Sequence, residues 1–587
     1  MSDAGPITWK RARWALGLVV CLPVAAAGAA VIGRHWVPVG DEASILFRVG
    51  QVGGGQTPLV GAYSTHGWAH PGPALYLLLA VPYRVIGGGT TGLLVAAALV
   101  NLLSVALVLY LAWRRRGLLG LLSFGLVTAT LLVGLTPELL VQVWNPYVPL
   151  LPFLAFLLCA WSLAEGDRRL LPLAVGLGSF LVQAHVAYLP LVLGAVGGVV
   201  AWRLWGRSAA GSRRGIGDRA ETGSVRWALG AVAVGVVLWI PPLVDQVFGD
   251  GNLGQLYRYF TSSPPSVGVG RGLGLLSAEV APVAAWSGGT ERSTFGSVDP
   301  GSRLWLLGLV VLLVGSVVLS RVAGRTAALP TVALTTIGAA AVAVTRVEEP
   351  VFPYLLVWAL PLAAFAWAAV LETALEAARQ ALSHSPVRRP QLRTVALGVM
   401  LLATAGQVAR GVAAAPGLGL PAERRAVATT SLLHQLRPEL ALHLAYRVEA
   451  VDDQVNQIWV GVFYGLVQRH LDVRTSDGAN GQKWGRTHRW TDQPVDQVLT
   501  FATADHVPPD DAIERCAADH GVTRIAAWDQ LSSRQRAELR DLDFRAYTQR
   551  TPLSDAQAAR RQHLDDRSLR VAVFSGDRVC GTQRRSG

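Results

Sequence analysis

Long apolar segments alternate with short basic or polar ones over the first 415 residues of the chain. An apolar run of about 20 residues can cross about 30 Å of hydrocarbon as a helix. The pattern predicts eleven such spans and therefore a polytopic α-helical membrane domain, residues 1–415. The predicted spans are residues 14–31, 92–113, 118–135, 148–163, 170–185, 189–205, 227–244, 304–319, 327–344, 353–371 and 395–412.

The basic residues between the spans predict the direction of each one. Lys10, Arg11 and Arg13 precede the first span, and positive charge near a span end favours the cytoplasmic side. The first loop, residues 34–90, and the loop at 246–302 then face outward. The apolar run 73–86 is only about 15 residues long, so we interpret it as an interfacial helix rather than a span.

From residue 416 onward, short strand-like and helix-like patterns alternate. Because the last span leads outward, the sequence predicts an extracytoplasmic α/β domain at 416–587. Its predicted helices are residues 423–436, 453–471, 510–520 and 532–540, and its predicted strands are 442–448, 497–502, 522–528 and 569–574.

The composition supports a membrane protein and argues against a nucleic-acid-binding one. Charged residues make up 16% of the chain and hydrophobic residues 51%, whereas soluble proteins carry about 25% charged residues. The net charge of +13 comes from arginines placed between apolar segments, as in a multi-pass membrane protein. Only Lys10 and Lys483 are lysines, a bias that indicates a GC-rich bacterium.

The four cysteines divide between the two predicted regions. Cys21 and Cys159 fall in spans and are interpreted as small core residues. Cys516 and Cys580 fall in the predicted outer domain, where an oxidising compartment favours a disulfide between them. No Cys or His cluster has the spacing of a zinc site.

Two adjacent carboxylates, Asp41 and Glu42, follow shortly after the first span. A carboxylate close to hydrocarbon costs several kcal/mol unless it is shielded or has a function. They either cap a helix in water or take part in chemistry, and position alone favours neither alternative. Further along, His66 and His70 are four residues apart, which would suit a metal-binding helix face, but Gly67 and Pro71 indicate a loop.

Four features of the sequence resemble the GT-C superfamily of membrane glycosyltransferases, in its protein-mannosyltransferase and aminoarabinose-transferase branch. They are the acidic pair in Gly-Asp-Glu-Ala (40–43), the run His-Pro-Gly-Pro-Ala-Leu-Tyr (70–76) that closes at 86–87, the basic loop 114–116 and the outer C-terminal domain. The chain departs from many relatives in having a glycine between the two prolines and few outer lysines, a residue that some relatives use to hold the lipid phosphate.

The resemblance implies transfer of a sugar from a polyprenyl-phosphate donor to a glycan, lipid or protein acceptor on the outer face, with inversion. A hydroxyl acceptor needs a base, and we assign Asp41 to that role. Glu42 is assigned to orient the acceptor or a divalent metal, Mg²⁺ or Mn²⁺, whose need is left open. The lipid phosphate needs cationic or N–H partners, and Arg48, His66 and His70 are the candidates.

Four further residues lie at the predicted outer ends of spans and complete the candidate set. Trp144 and Asn145 suit stacking and hydrogen bonding to a sugar, with an interfacial aromatic belt and a turn as the equal alternative. Gln183 and His185 end a span, where a lone histidine is more often structural. Glu348 is expected to be solvated.

Two other classes of function remain as alternatives. A lipid or glycan transporter or flippase would carry inverted repeats and ionisable residues near the middle of the membrane, whereas these spans are almost free of charge at their centres. A non-catalytic envelope scaffold would work through its outer domain alone. The sequence does not identify the sugar, although an actinobacterial envelope would suggest arabinose or mannose donors.

Overall fold

The structure is a computed structural model of the 587-residue chain. It describes residues 6–64, 66–209, 219–262, 266–289, 298–381, 389–451, 455–476, 483–503, 522–548, 552–565 and 567–577. Cys516, Cys580 and the predicted helix 510–520 lie outside this part of the chain, so the predicted disulfide remains a prediction.

The chain divides into two compact units. The first consists of Met1–Arg34 and Thr57–Gly419, and the second of His35–Gln56 and Leu420–Gly587. Between helix α1 (Pro6–Val31) and helix α3 (Ala74–Val85) the chain enters the second unit, where it forms helix α2 (Gly40–Gln51). The acidic pair Asp41-Glu42 therefore belongs to the second unit, together with the C-terminal residues.

The first unit is helical. After α1 and α3 it contains α4 (Thr90–Val141), α5 (Leu150–Ala164), α6 (Leu171–Ala184), α7 (Tyr188–Ala209), α8 (Arg219–Phe248), α9 (Asn252–Thr261), α10 (Gly268–Val280), α11 (Leu304–Val322), α12 (Ala328–Val344), α13 (Ala359–Ala381) and α14 (Arg389–Ala414). Within the described residues, seven helices are long and apolar enough to cross a membrane, and three shorter helices are also apolar.

Helix α4 contains two of the predicted spans. Its helical geometry is interrupted at Gly117, which has φ 60° and ψ −139° directly after the three arginines 114–116. Glycine adopts this conformation without the steric penalty that a Cβ would impose. The other predicted spans fall on α1, α5 to α8 and α11 to α14, so the apolar pattern located these helices.

Helix packing in the first unit follows the distribution of apolar residues. Helix α5 is apolar around its whole circumference and is almost fully buried, with Phe153 and Trp161 in its interior. Helix α4 packs against α1, α5, α13 and α14. Helices α8 and α11 instead expose apolar side chains such as Leu229 and Leu307. Such a surface suits contact with lipid.

The second unit is built on a five-stranded mixed sheet. Its strands are β1 (Ala445–Ala450), β2 (Asp472–Arg474), β3 (Gln497–Thr503), β4 (Thr523–Asp529) and β5 (Arg570–Gly576). They lie in the order β2-β1-β3-β5-β4, with β1 parallel to both β2 and β3, and β5 antiparallel to both β3 and β4. The accompanying helices are α15 (Glu423–Glu439), α16 (Asn456–Gln468), α17 (Ser533–Asp543) and α18 (Asp555–Asp565).

Helix α2 is part of the core of this second unit. It packs against α16, and Ala43 belongs to the buried cluster that also holds Tyr446, Trp459 and Phe463. The helix begins at Gly40, whose φ of +54° suits glycine, and a Cβ there would lie 3.1 Å from the side chain of Gln457. The acidic pair thus occupies the first turn of a helix, where the helix dipole favours negative charge.

Candidate functional site

Asp41 is held by a lysine that is distant in sequence. Lys483 Nζ donates to Asp41 Oδ1 at 3.2 Å, and the lysine side chain is only 8% exposed, against 35% for the aspartate. A nearly buried ammonium needs a charged or hydrogen-bonding partner, so the pair fixes one oxygen of the carboxylate. Lys483 is one of only two lysines in the chain, but no sequence pattern connects it with Asp41.

Glu42 lies in the electrostatic field of Arg425, on helix α15. Burial lowers the pKa of Arg425 and Glu42 opposes that effect, while the arginine also donates a hydrogen bond to Gln457. Each of the two carboxylates in the first turn of α2 therefore has a cation nearby that comes from another part of the second unit.

Arg48 lies about two turns after Asp41 on helix α2. Its Nη1 donates to Gln51 Oε1 at 2.6 Å. A Cβ on Gly485 would lie 2.6 Å from the same Arg48 nitrogen, so the guanidinium rests against the chain two residues after Lys483. In the second unit, Asp41 and Arg48 thus lie on α2, and Lys483 and Gly485 of a short neighbouring segment lie against them.

In the first unit, a hairpin-like loop carries the two predicted histidines. The His70 N–H donates to the Ala62 carbonyl at 2.8 Å, and the Gly61 N–H donates to the His70 carbonyl at 2.9 Å. Asn252 fixes the same loop, because its side chain accepts from the Ala69 N–H at 2.8 Å and donates to the Ala69 carbonyl at 2.9 Å. The backbone of His70 is therefore held on both sides.

His70 and His185 form a buried pair. Their ring centroids are 4.6 Å apart, and the Val186 N–H donates to His70 Nδ1 at 3.2 Å. Burial, and then the neighbouring His185, hold the pKa of His70 well below its usual value. The His70 imidazole is therefore neutral, and because Nδ1 accepts a hydrogen bond, its proton resides on Nε2.

Gln183 and Asn145 lie at the same end of α6. Gln183 Nε2 donates to the Leu238 carbonyl at 2.8 Å, and Asn145 Nδ2 donates to the Ala184 carbonyl at 3.4 Å. The Gln183 side chain also contacts the backbone at Gly72, where an added Cβ would collide with it. Gln183 Oε1 is buried without a hydrogen-bond partner, which marks a polar group left unsatisfied beside the histidine pair.

His66 lies in a different group of side chains. Its Nδ1 is 3.6 Å from Glu348 Oε2, and Tyr259 donates to the same carboxylate. The expectation that Glu348 is solvated is therefore wrong: its side chain is 25% exposed and pairs with a histidine and a tyrosine. Burial, and then the bond to Glu348, raise the pKa of Tyr259. Trp68 packs against Tyr259 and completes the group.

Trp144 packs in an aromatic cluster. Its ring centroid is 4.8 Å from that of Tyr354 and 5.5 Å from that of Tyr147. This packing fixes the indole whether or not a sugar stacks on it.

The predicted site residues therefore fall into separate groups. Asp41, Glu42 and Arg48 belong to the second unit, and the remaining six belong to the first. Within the first unit, His70, Asn145, Gln183 and His185 meet at the end of α6. Over the residues that the structure describes, no group of three or more His, Cys, Asp or Glu side chains is arranged to hold a metal ion.

Comparisons with known proteins bear on the fold. No protein-family profile and no curated protein matches the sequence. Two solved structures of ArnT from Cupriavidus metallidurans are similar in fold. The one bound to undecaprenyl phosphate has a TM-score of 0.50 and 15% identity over 89% of this chain and 97% of that chain. The apo structure has a TM-score of 0.51 and 14% identity over 88% and 96%. The predicted fold class is thus confirmed: the chain is a polytopic helical membrane protein with a small α/β domain, folded like ArnT over nearly its whole length.

Proposed function

We propose that the protein is a membrane glycosyltransferase that moves a sugar from a polyprenyl-phosphate donor to a cell-envelope acceptor. One observation carries the proposal: Asp41 is held by Lys483 at the start of α2, in a chain that folds like a protein solved with undecaprenyl phosphate. The chain resembles the GT-C superfamily in the same acidic pair. The proposed location is the inner membrane, with the N-terminus in the cytoplasm.

In the proposed reaction, Asp41 acts as the general base. The acceptor hydroxyl attacks the anomeric carbon while its proton passes to the Asp41 carboxylate, so that the hydroxyl gains nucleophilicity as the bond forms. The bond between the anomeric carbon and the donor phosphate breaks on the opposite face, which inverts the configuration. The polyprenyl phosphate leaves with the bonding electrons, and Asp41 returns its proton to water.

Lys483 is proposed as a positioning residue for this base. Its ammonium binds Asp41 Oδ1 at 3.2 Å and fixes the rotation of the carboxylate. Glu42 is proposed to orient the acceptor, directly or through a divalent metal.

The departing phosphate needs hydrogen-bond donors or positive charge. Arg48 is a permanent cation, and its guanidinium is already oriented by Gln51. His70 is proposed to donate from Nε2, because its other nitrogen accepts from the Val186 N–H. His66 is the weaker candidate, since the nearby Glu348 carboxylate would repel a phosphate. Trp144, Asn145, Gln183 and His185 are proposed to contact the sugar.

The test is sugar transfer in purified membranes, with a panel of polyprenyl-phosphate sugars as donors. We expect transfer from one donor in the wild type and a loss of about 10²–10⁴-fold in Asp41→Asn, the usual range for a general base. Lys483→Met should lower kcat by a smaller factor, because the base remains but is no longer fixed. Transfer at the wild-type rate in Asp41→Asn would remove the base assignment, with Glu42 tested next.

A matched control separates catalysis from folding. Asp472→Asn changes an exposed aspartate of the same unit, which pairs with Arg474 on the surface, and should leave transfer unchanged. The expression of every variant is compared by immunoblot. An absence of transfer from all donors in the wild type would instead favour the transporter or scaffold alternative.

A further inference from the structure

A cavity at the basic end of the helical unit is separate from every residue discussed so far as catalytic or substrate-binding. Its volume is about 880 Å³, within the range typical of small-molecule sites. It lies at the kinked segment of α4, between α13 and α14, with the end of α11 and the start of α12 completing its wall. Helix α14 packs against α1 and α4.

The wall of the cavity is apolar on one side and ionic on the other. Leu119, Leu329, Leu397 and Met400 represent the apolar side. The ionic side carries three arginines and two glutamates: Arg116, Arg325, Arg379, Glu372 and Glu376. Three hydroxyl residues, Ser320, Thr326 and Thr373, line the cavity as well. Such a wall suits a ligand with an apolar chain and an anionic head.

One carboxylate organises two of these arginines. Glu376 Oε1 is 3.0 Å from Arg325 Nη2 and 2.9 Å from Arg379 Nη2. The Arg325 side chain is 24% exposed and that of Arg379 is 71% exposed, so both guanidinium groups remain accessible. A single carboxylate leaves part of their combined charge unbalanced.

The second carboxylate lies deeper. Glu372 is 5% exposed and accepts a hydrogen bond from Ser123. Arg116 is itself committed to Glu165 at 2.8 Å. Glu372 and Arg116 are therefore already committed to partners at the deep end, and the accessible cations are Arg325 and Arg379.

We propose that this cavity binds an anionic phospholipid. The lipid phosphate lies between Arg325 and Arg379, and an acyl chain follows the apolar side toward Met400. Basic pockets between transmembrane helices bind anionic lipid headgroups in this way. Because the arginines of the positive-inside pattern lie at this end, the lipid belongs to the leaflet predicted to be cytoplasmic. The site is distinct from the proposed transfer reaction and does not depend on it.

The test measures lipid retained by the purified full-length protein in detergent, by native mass spectrometry. The protein is titrated with phosphatidylglycerol, with phosphatidylcholine and with glycerol phosphate as a headgroup without chains. We expect tight retention of phosphatidylglycerol only. The double variant Arg325→Ala/Arg379→Ala should bind it about tenfold more weakly, a loss of about 1.4 kcal/mol.

Three further variants keep the proposal falsifiable. Arg271→Ala removes a half-exposed arginine that pairs with Glu349 outside the cavity, and should leave retention unchanged. Ala377→Trp fills the cavity without changing its charge and should also reduce retention. Glu376→Gln releases both arginines from their carboxylate and should increase retention, whereas a purely structural ion pair would give no increase.

Other results would overturn the proposal. Equal binding of phosphatidylglycerol and phosphatidylcholine would exclude recognition of the anionic head. Equal binding of glycerol phosphate would make the site one for a free phosphate ester rather than for a lipid. If Arg271→Ala lost as much phosphatidylglycerol binding as Arg325→Ala/Arg379→Ala, any change of surface charge would have the same effect.

Discussion

The ion pair between Asp41 and Lys483 leads to a first prediction, which concerns the free energy of unfolding. In Asp41→Ala, the Lys483 ammonium, 8% exposed, loses its carboxylate, and we expect a loss of about 2 kcal/mol in the free energy of unfolding. Adding Lys483→Met should recover most of this loss, because the unpaired charge is then absent. The measurement is the melting temperature of the purified protein.

The control for these two variants is an exposed ion pair of the same unit, between Asp472 and Arg474. Asp472→Ala breaks a contact to Arg474 in which the aspartate is 48% exposed, and surface pairs of this kind contribute at most about 1 kcal/mol. A fall in melting temperature for Asp472→Ala as large as that for Asp41→Ala would mean that side-chain exposure does not determine the cost of breaking an ion pair. A double variant no more stable than Asp41→Ala would contradict the buried-charge argument.

The lowered pKa of His70 leads to a second prediction, which concerns how the stability of the protein depends on pH. Its pKa in the folded protein is well below the value of about 6.5 expected in the unfolded chain, so the unfolded chain binds more protons under acidic conditions. The stability that His70 contributes is therefore complete above about pH 6.5. It is lost below that pH at up to about 1.4 kcal/mol per pH unit.

Melting temperatures measured from pH 7.5 to pH 5.5 test this expectation. His70→Gln should reduce the fall in melting temperature on acidification, since glutamine does not titrate. His443→Gln, a change at an exposed histidine, should leave the acid dependence as it is in the wild type. An unchanged acid dependence in His70→Gln would place the responsible group elsewhere.

Contacts between residues far apart in the sequence were not predictable from local spacing. Asp41 and Arg48 are seven residues apart, a spacing that places them on one face only if the segment between them is helical. Lys483 lies 442 positions from Asp41, and nothing in local spacing connects two residues so far apart. The pairing of His66 with Glu348 was missed for the same reason.

The interruption of α4 at Gly117 leads to a third prediction, which concerns the cost of a side chain at this position. Gly117 has φ 60° and ψ −139°, a conformation that costs other residues about 1–3 kcal/mol. A Cβ there would meet no atom within 4 Å, so the cost of Gly117→Ala would be one of backbone strain alone. We expect a lower melting temperature for Gly117→Ala.

The matched control is Gly315→Ala in the interior of α11. A Cβ at Gly315 would also meet nothing within 4 Å, but the helical backbone there tolerates alanine. This variant should be neutral or more stable by up to about 1 kcal/mol. Equal destabilisation of the two variants would show that the loss of glycine itself, rather than the backbone angle, is responsible.

Long periodic or apolar segments were predictable from the sequence, and short ones were not. Predicted spans and helices such as residues 92–113 and 423–436 match α4 and α15, because each carries enough apolar residues to define a period. Strand β2 has only three residues, too few to show alternation. Helix α2 was expected only as part of a polar outer loop, since its buried face becomes evident only beside α16.

At the scale of the whole molecule, the arrangement in two units changes the meaning of the first outer loop. The sequence places residues 34–90 in one loop of the membrane domain, whereas the structure groups His35–Gln56 with Leu420–Gly587. A segment inserted between two apolar helices therefore completes the core of a domain encoded almost 400 positions later. Linear order along the chain carries no signal for such an assignment.

The direction of the chain through the membrane is the fourth prediction, and it rests on charge. If the basic residues face the cytoplasm, Arg168 lies inside, and Asp299 and Thr491 lie outside. All three positions are exposed in the structure, so a cysteine at any of them is accessible from its own side of the membrane. The background is the full chain with its four cysteines replaced.

Whole cells are treated with a membrane-impermeant maleimide before and after permeabilisation. Asp299→Cys and Thr491→Cys should react in intact cells, whereas Arg168→Cys should react only once the membrane is opened. The opposite pattern would invert the topology and place the Asp41 carboxylate on the cytoplasmic side. Asp41 would then meet acceptors made in the cytoplasm, and the proposed transfer at the outer face would fail even if the protein remained a glycosyltransferase.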